Sequence, residues 1–212
     1  MENQEQYVAF TKANDWKGIF ELNGVKFDAF GTKKELGVLH KYLEEDEVVY
    51  AIVSGVMSQT GSSNSSDFGA NTWIAALTNE RFLCLDAALL TSSVDTQSIR
   101  LENVQAVSAS QGWVLGKVSI DLGSRTVVID NCLKESVSVM ATLANKLLKE
   151  ARTAKKTEAL IPTTQSMGPL DRLEAIAQLH KFAVISEAEY KQAVERVLSS
   201  SEMAKLKAEV LG

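Results

Sequence analysis

Histidine, cysteine and long apolar runs are all scarce in this chain, and each scarcity removes a class of function. Only His40 and His180 occur among 212 residues. Each falls on a predicted helix in a different region, with no cysteine or carboxylate at ligand spacing. A zinc site or a Ser-His-Asp triad requires such partners, so both histidines read as solvated surface and no catalytic or metal-binding residue is assigned. Two cysteines imply no disulfide framework. Cys84 and Cys132 lie in strand-like runs and read as reduced core residues. No apolar run approaches the roughly 18 residues of a membrane span, and residues 1–10 are acidic and polar rather than basic then apolar. The expectation is a cytoplasmic protein with no cofactor.

Positive charge is also in short supply, and unevenly spread. Residues 1–150 carry 13 Lys and Arg against 19 Asp and Glu, whereas residues 151–212 carry 9 against 8. An acidic front region repels phosphates at long range, which counts against nucleic acid and anionic lipid as its main partner. The run Glu44-Glu45-Asp46-Glu47 reads as a solvated turn rather than a metal cage.

What is present is pattern. Residues 2–13 are compatible with a short helix. Asn23-Gly24, between alternating runs, predicts a β-hairpin with Phe20 opposite Phe27. Residues 33–43 read as a helix with Leu36, Leu39 and Leu43 on one side. Seven short β-branched runs follow, at 48–57, 72–77, 82–85, 93–100, 104–110, 116–121 and 125–130. They suffice for a small closed barrel. Leu133, Val137, Met140, Ala144, Leu147 and Ala151 then make one helical stripe, a lid for the barrel's open end.

The stretch from Leu77-Thr78-Asn79-Glu80-Arg81 to Asp86 resembles the "LT-x-x-R-(apolar)" hairpin of bacterial pleckstrin-homology (PH) domains. Residues 99–107 resemble their next element, and Gly112-Trp113-Val114-Leu115-Gly116-Lys117-Val118-Ser119-Ile120 resembles the glycine-flanked turn and strand after it. The resemblance covers residues 32–151. It implies an α+β, mainly β fold: a PH-like seven-stranded barrel or sandwich with a C-terminal capping helix. Lipid-binding PH domains gather Lys and Arg on the loop joining the first two strands. Here residues 58–71 hold no base and one acid, Asp67, and read as a mobile hairpin tip.

Residues 152–168 lack pattern and read as a linker. Beyond it Pro169 opens a helix with Leu173, Ile176, Leu179 and Phe182 on one face. Ser186 and Glu189 form a capping box for a second helix, with Ile185 placed to staple against Tyr190. This pair is similar to the bacterial short C-terminal (SHOCT-like) domain over 169–198, with Ala183 where that family usually has glycine. Residues 202–211 could form a third helix. The domain reading is therefore an N-terminal helix and hairpin arm (1–31), a PH-like domain (32–151), a linker (152–168) and a short helical domain (169–212).

Candidate partner-binding residues are Trp113, Val114 and Leu115 at a bend where polar residues are usual, and Phe182, Ile185 and Tyr190 on the helical pair. Trp113 is expected to fold back and plug the barrel; the alternative is an exposed apolar tip. The C-terminal pair is too short to bury enough surface alone. The resulting expectation is a non-enzymatic binding or scaffolding protein acting through protein contact or as a homo-oligomer. Peripheral anionic-lipid or phosphoinositide binding, and nucleic-acid binding through Arg196, Lys205 and Lys207, are the alternatives.

Overall fold

The computed structural model describes residues 3–29, 31–61, 65–87, 93–160, 168–182 and 184–199, with the side chains at 61, 65–70 and 154–160 left aside. Two compact units result, residues 1–148 and residues 149–212.

The first unit begins with α1 (Gln4–Ala13) and α2 (Trp16–Leu22), not with a hairpin arm. Asn23-Gly24 ends α2 instead of turning a strand. Gly24 takes φ 68°, and its N–H donates to Glu21 O while Val25 N–H donates to Phe20 O. That reciprocal pair satisfies the last helical carbonyls, and glycine is the residue that enters the left-handed region without penalty. The same dipeptide suits either ending, and burial decides between them. As a helix, α2 places Trp16, Ile19 and Phe20 in the core together with Tyr7 of α1. Phe20 and Phe27 do meet, edge to face at 5.3 Å between ring centres, across a helix end rather than a strand pair.

α3 (Lys33–Val38) and a 3₁₀ turn (Leu39–Tyr42) lead into the sheet, burying Leu36 and Leu39. The strands are β1 (Val49–Gly61), β2 (Ser65–Thr78), β3 (Arg81–Ala87), β4 (Val94–Arg100), β5 (Ala106–Gln111), β6 (Leu115–Asp121) and β7 (Arg125–Leu133). All seven expected strands form. The region read as a loop over 58–71 is largely strand, because Ser58, Gln59 and Thr60 pair with Asp67, Ser66 and Ser65. On its other edge β1 pairs with β7 from Val56 to Gly61, so two neighbours satisfy a polar stretch that hydropathy leaves unassigned.

The order is β4-β3-β2-β1-β7-β6-β5, every pair antiparallel. The sheet is not closed into a barrel, and β4 and β5 are its edges. Part of the reason lies in α4 (Lys134–Leu160). Asn145 accepts from Val107 N–H (3.4 Å) and donates to Val107 C=O (2.7 Å). Its side-chain amide thus takes the place of a neighbouring strand on β5. Gln111 at the other end of β5 donates to Lys134 O and Ser138 Oγ. An edge covered in this way is protected from pairing with another chain.

α4 buries Val137, Met140 and Ala144 against the sheet, as the stripe predicts, but at its next turn Leu148 is buried and Leu147 only partly so, and Ala151 is exposed. The helix continues to Leu160, so residues 152–160 are helical rather than linker; 161–167 lie outside the described residues. Among the described residues no helix is long and apolar enough to cross a membrane.

The second unit contains α5 (Pro169–Lys181) and α6 (Glu187–Leu198). The Ser186 hydroxyl accepts from Glu189 N–H, and the Glu189 carboxylate accepts from Ser186 N–H (2.7 Å), the predicted capping box. Ala183 and the expected third helix fall outside the described residues.

Candidate functional site

The β5–β6 turn is the most exposed apolar feature of the first unit. Gly112 N–H donates to Leu115 O at 2.7 Å, which leaves Trp113 and Val114 as the two corner residues. Both glycines are needed by close approach. A Cβ on Gly112 would stand 2.9 Å from Leu115 O, and one on Gly116 would stand 2.7 Å from the Val137 side chain. β6 thus lies close on α4 at Gly116, and the corner side chains face solvent. Trp113 is 95% exposed, Val114 68% and Leu115 40%. The expected plug does not form; the core it would fill is already occupied by α4's Val137 and Met140 and by the N-terminal helices.

At the same end of the sheet, the motif Leu77-Thr78-Asn79-Glu80-Arg81 builds a polar lock. Arg81 Nε and Nη2 donate to the two oxygens of Glu47 at 2.8 and 2.7 Å. Thr78 adds its hydroxyl to Glu47 Oε1 (2.7 Å), and Glu44 N–H donates to Oε2 (2.9 Å). Asn79 Oδ1 accepts from Val48 N–H. Arg81 also reaches Tyr42 O and Ser98 Oγ. Glu47 is therefore not part of a solvated turn: its side chain is fully buried. Burial pushes its carboxyl up, but Arg81, the Glu44 amide and Thr78 outweigh that and hold it below the usual carboxylate range. The same ion pair raises the Arg81 guanidinium further. The run of four acids hid this, since composition marks them alike. The available signal was an arginine at a strand start between buried residues, which needs a counter-ion. All of the lock's donors and acceptors are engaged with one another, so it ties β1 to the β2–β3 turn and offers little to a ligand.

The opposite end of the sheet holds the β1–β2, β3–β4 and β6–β7 connections. At its strand ends Arg125 is outnumbered by Asp86, Asp95 and Asp121. α3, whose Glu35 accepts from Ala87 N–H, brings Lys33 and Lys34 near. Among the described residues this is a surface of mixed charge without a cluster of bases.

Both thiols sit where expected, free and buried in β3 and β7. Desolvation pushes Cys84 and Cys132 up to about 12, with Asp130 and Asp28 adding to the effect at Cys132. They are inert at neutral pH. Among the described residues no group of three His, Cys, Asp or Glu could hold a metal ion.

In the second unit the expected binding residues separate. Ile185 is buried with Ile176, Ala193 and Val197, and Tyr190 packs beside them, so these two form the hairpin's own core. Phe182 is not on that face: it caps α5 and is 72% exposed. Leu170, Val184 and Leu198 are also exposed. Leu170 lies off the Leu173-Ile176-Leu179 stripe, which a helical projection could have revealed. His180 does have a carboxylate partner, Glu187 at 3.0 Å, and stacks on Tyr190 at 4.5 Å. The turn brings together residues that sequence separation kept apart.

Seven antiparallel strands, an LT-x-x-R lock and a C-terminal helix across the sheet agree with the comparison to known families. Residues 43–146 match the family model for the bacterial PH domain. No curated protein matches the chain. Among solved structures, the PH domain of USP37 aligns at 8% identity over 47% of this chain and 97% of its own, with a TM-score of 0.36. The Vps36 N-terminal PH domain aligns at 15% over 52% and 86%, with a TM-score of 0.41. A DUF1696 family protein with a PH domain from Shewanella loihica aligns at 10% over 58% and 92%, with a TM-score of 0.31. The family match ends at residue 146 and does not reach α5 or α6.

Proposed function

We propose that this is a non-enzymatic binding and scaffolding protein whose PH-like module is a rigid platform for protein–protein contact or self-assembly. The observation that carries the reading is the outward Trp113-Val114-Leu115 tip. Large aromatic anchors dominate binding energy when a partner desolvates them, and the flanking glycines hold this one on a stiff hairpin, so little ordering cost remains on binding. Phosphoinositide binding has less support, because the loop that would carry a basic cradle has none and acids prevail at the neighbouring strand ends. Nucleic-acid binding would rest on Arg196 with Lys205 and Lys207, the last two outside the described residues.

The test is co-purification from the native cell of the full chain and its W113S/V114S variant, alongside flotation on phosphatidylserine vesicles. A protein retained by the parent and lost by the variant, without flotation, is the expected result. Flotation that depends on Trp113 would replace this reading with lipid binding.

A further inference from the structure

The outward face of α5 is ordered in a way that solvation alone does not require. Helical spacing sets Leu170, Glu174, Ala177 and Lys181 on one line, with Asp171, Gln178 and Phe182 beside it, and all seven are exposed. The acids Asp171 and Glu174 occupy the first half and the base Lys181 the last. Exposed apolar residues stand at both ends of the hairpin. Leu170 and Leu198 lie at its open end, Phe182 and Val184 at the turn. Nothing apolar interrupts the line between them except the small Ala177. Such a face is complementary to its own reverse. A two-fold axis near the helix midpoint sets Leu170 on Phe182, Asp171 against Lys181 and Glu174 against Gln178, twice over. Ala177 falls close to that axis, where a small residue permits close approach.

We propose that two copies of this chain associate through antiparallel pairing of α5 with α5. The open-end leucines of each copy then cover Phe182 and Val184 of the other, and Asp171 meets Lys181 on both sides. The hairpin has a reason to do so: among the described residues four of its apolar side chains are buried, and segments below about 40 residues seldom hold a fold without a staple or a partner. A different protein would have to match the apolar ends and the charge gradient independently; a second copy matches both by symmetry. The pairing does not involve the Trp113 tip, so it survives even if the tip's role is otherwise.

Light scattering on the full chain tests it. The parent is expected at twice 23.1 kDa, and F182S/V184S at the monomer mass, with dissociation at least about ten-fold easier. Both side chains are exposed, so unchanged circular dichroism confirms that the variant folds. K181D, which sets acid against acid, is expected to weaken the dimer and to reverse its salt dependence. Ala177→Cys is expected to form a disulfide-linked dimer under mild oxidation, whereas Glu195→Cys, exposed on α6, does not; buried Cys84 and Cys132 do not compete. A monomeric parent overturns the proposal. So does a dimer that F182S/V184S leaves intact, and if W113S dissolves that dimer, the tip is the self-association surface instead.

Discussion

The PH-like unit and the C-terminal hairpin are built by the same rule, an apolar stripe laid on a partner, yet they end in different conditions. Among the described residues the first buries 35 apolar side chains in one continuous cluster, while the second buries four. The larger unit is complete enough to carry a buried ion pair and an outward tryptophan at the same end of its sheet. In the hairpin, an exposed capping box and the His180–Glu187 contact accompany that small core. Patterning, then, shows which face is buried, whereas the size of the cluster decides whether burial suffices.

The sharpest way to break that contrast is to damage each unit at its own fastening. Glu47→Ala strands Arg81 without its counter-ion and should cost about 3–5 kcal/mol in urea unfolding of the PH-like unit. Sign follows from the shift at Glu47. Its carboxyl lies below the ordinary range when folded, so its contribution is present at neutral pH, above the unfolded value of about 4.3, and is lost as pH falls through the folded value. Glu47→Gln should therefore flatten the acid limb of a stability–pH curve measured below about pH 5. A steep limb retained in that variant would remove Glu47 from the account.

Next in size, Gly116→Ala drives a methyl into Val137 and should cost about 1–3 kcal/mol by the same urea measurement. Ser186→Ala removes the cap of α6 and should cost about 1 kcal/mol. That loss belongs to the hairpin alone, read as lower helicity and faster proteolysis after residue 168 with an unmoved PH-like transition. If Ser186→Ala shifted the main transition as far as Glu47→Ala, the two units would not be energetically distinct. Smallest of all, Trp113→Ser should leave stability within about 0.5 kcal/mol, since an exposed corner makes few native contacts. A large loss of melting temperature would mean that Trp113 is structural after all.

Much of the first unit was legible because strand alternation and turn residues act locally. All seven strands, the capping helix and both buried thiols follow from residues near one another in the chain. The misreadings share a cause: each turns on a neighbour distant in sequence. Asn23-Gly24 suits a hairpin or a helix end equally, and only the core beneath Ile19 and Phe20 selects the helix. Residues 58–61 look like a loop until β2 and β7 flank them. Glu47 looks solvated until Arg81, 34 residues away, arrives beside it. Sheet closure is likewise beyond local pattern, because Asn145 of α4 occupies the outer edge of β5. At the candidate site, the sequence marks Trp113-Val114-Leu115 as unusual without saying which way they point. Ile185 and Tyr190, equally apolar, go inward because the staple that positions them also buries them.

Hydrogen exchange of the full chain, followed by mass spectrometry over an approximately hundred-fold range of protein concentration, tests the contrast most directly. Amides of β1 and β7 should be equally protected throughout, while those of α5 and α6 lose protection on dilution as the hairpin parts from its second copy. Equal protection of α5 and α6 at every concentration would show the hairpin complete in itself and contradict the account.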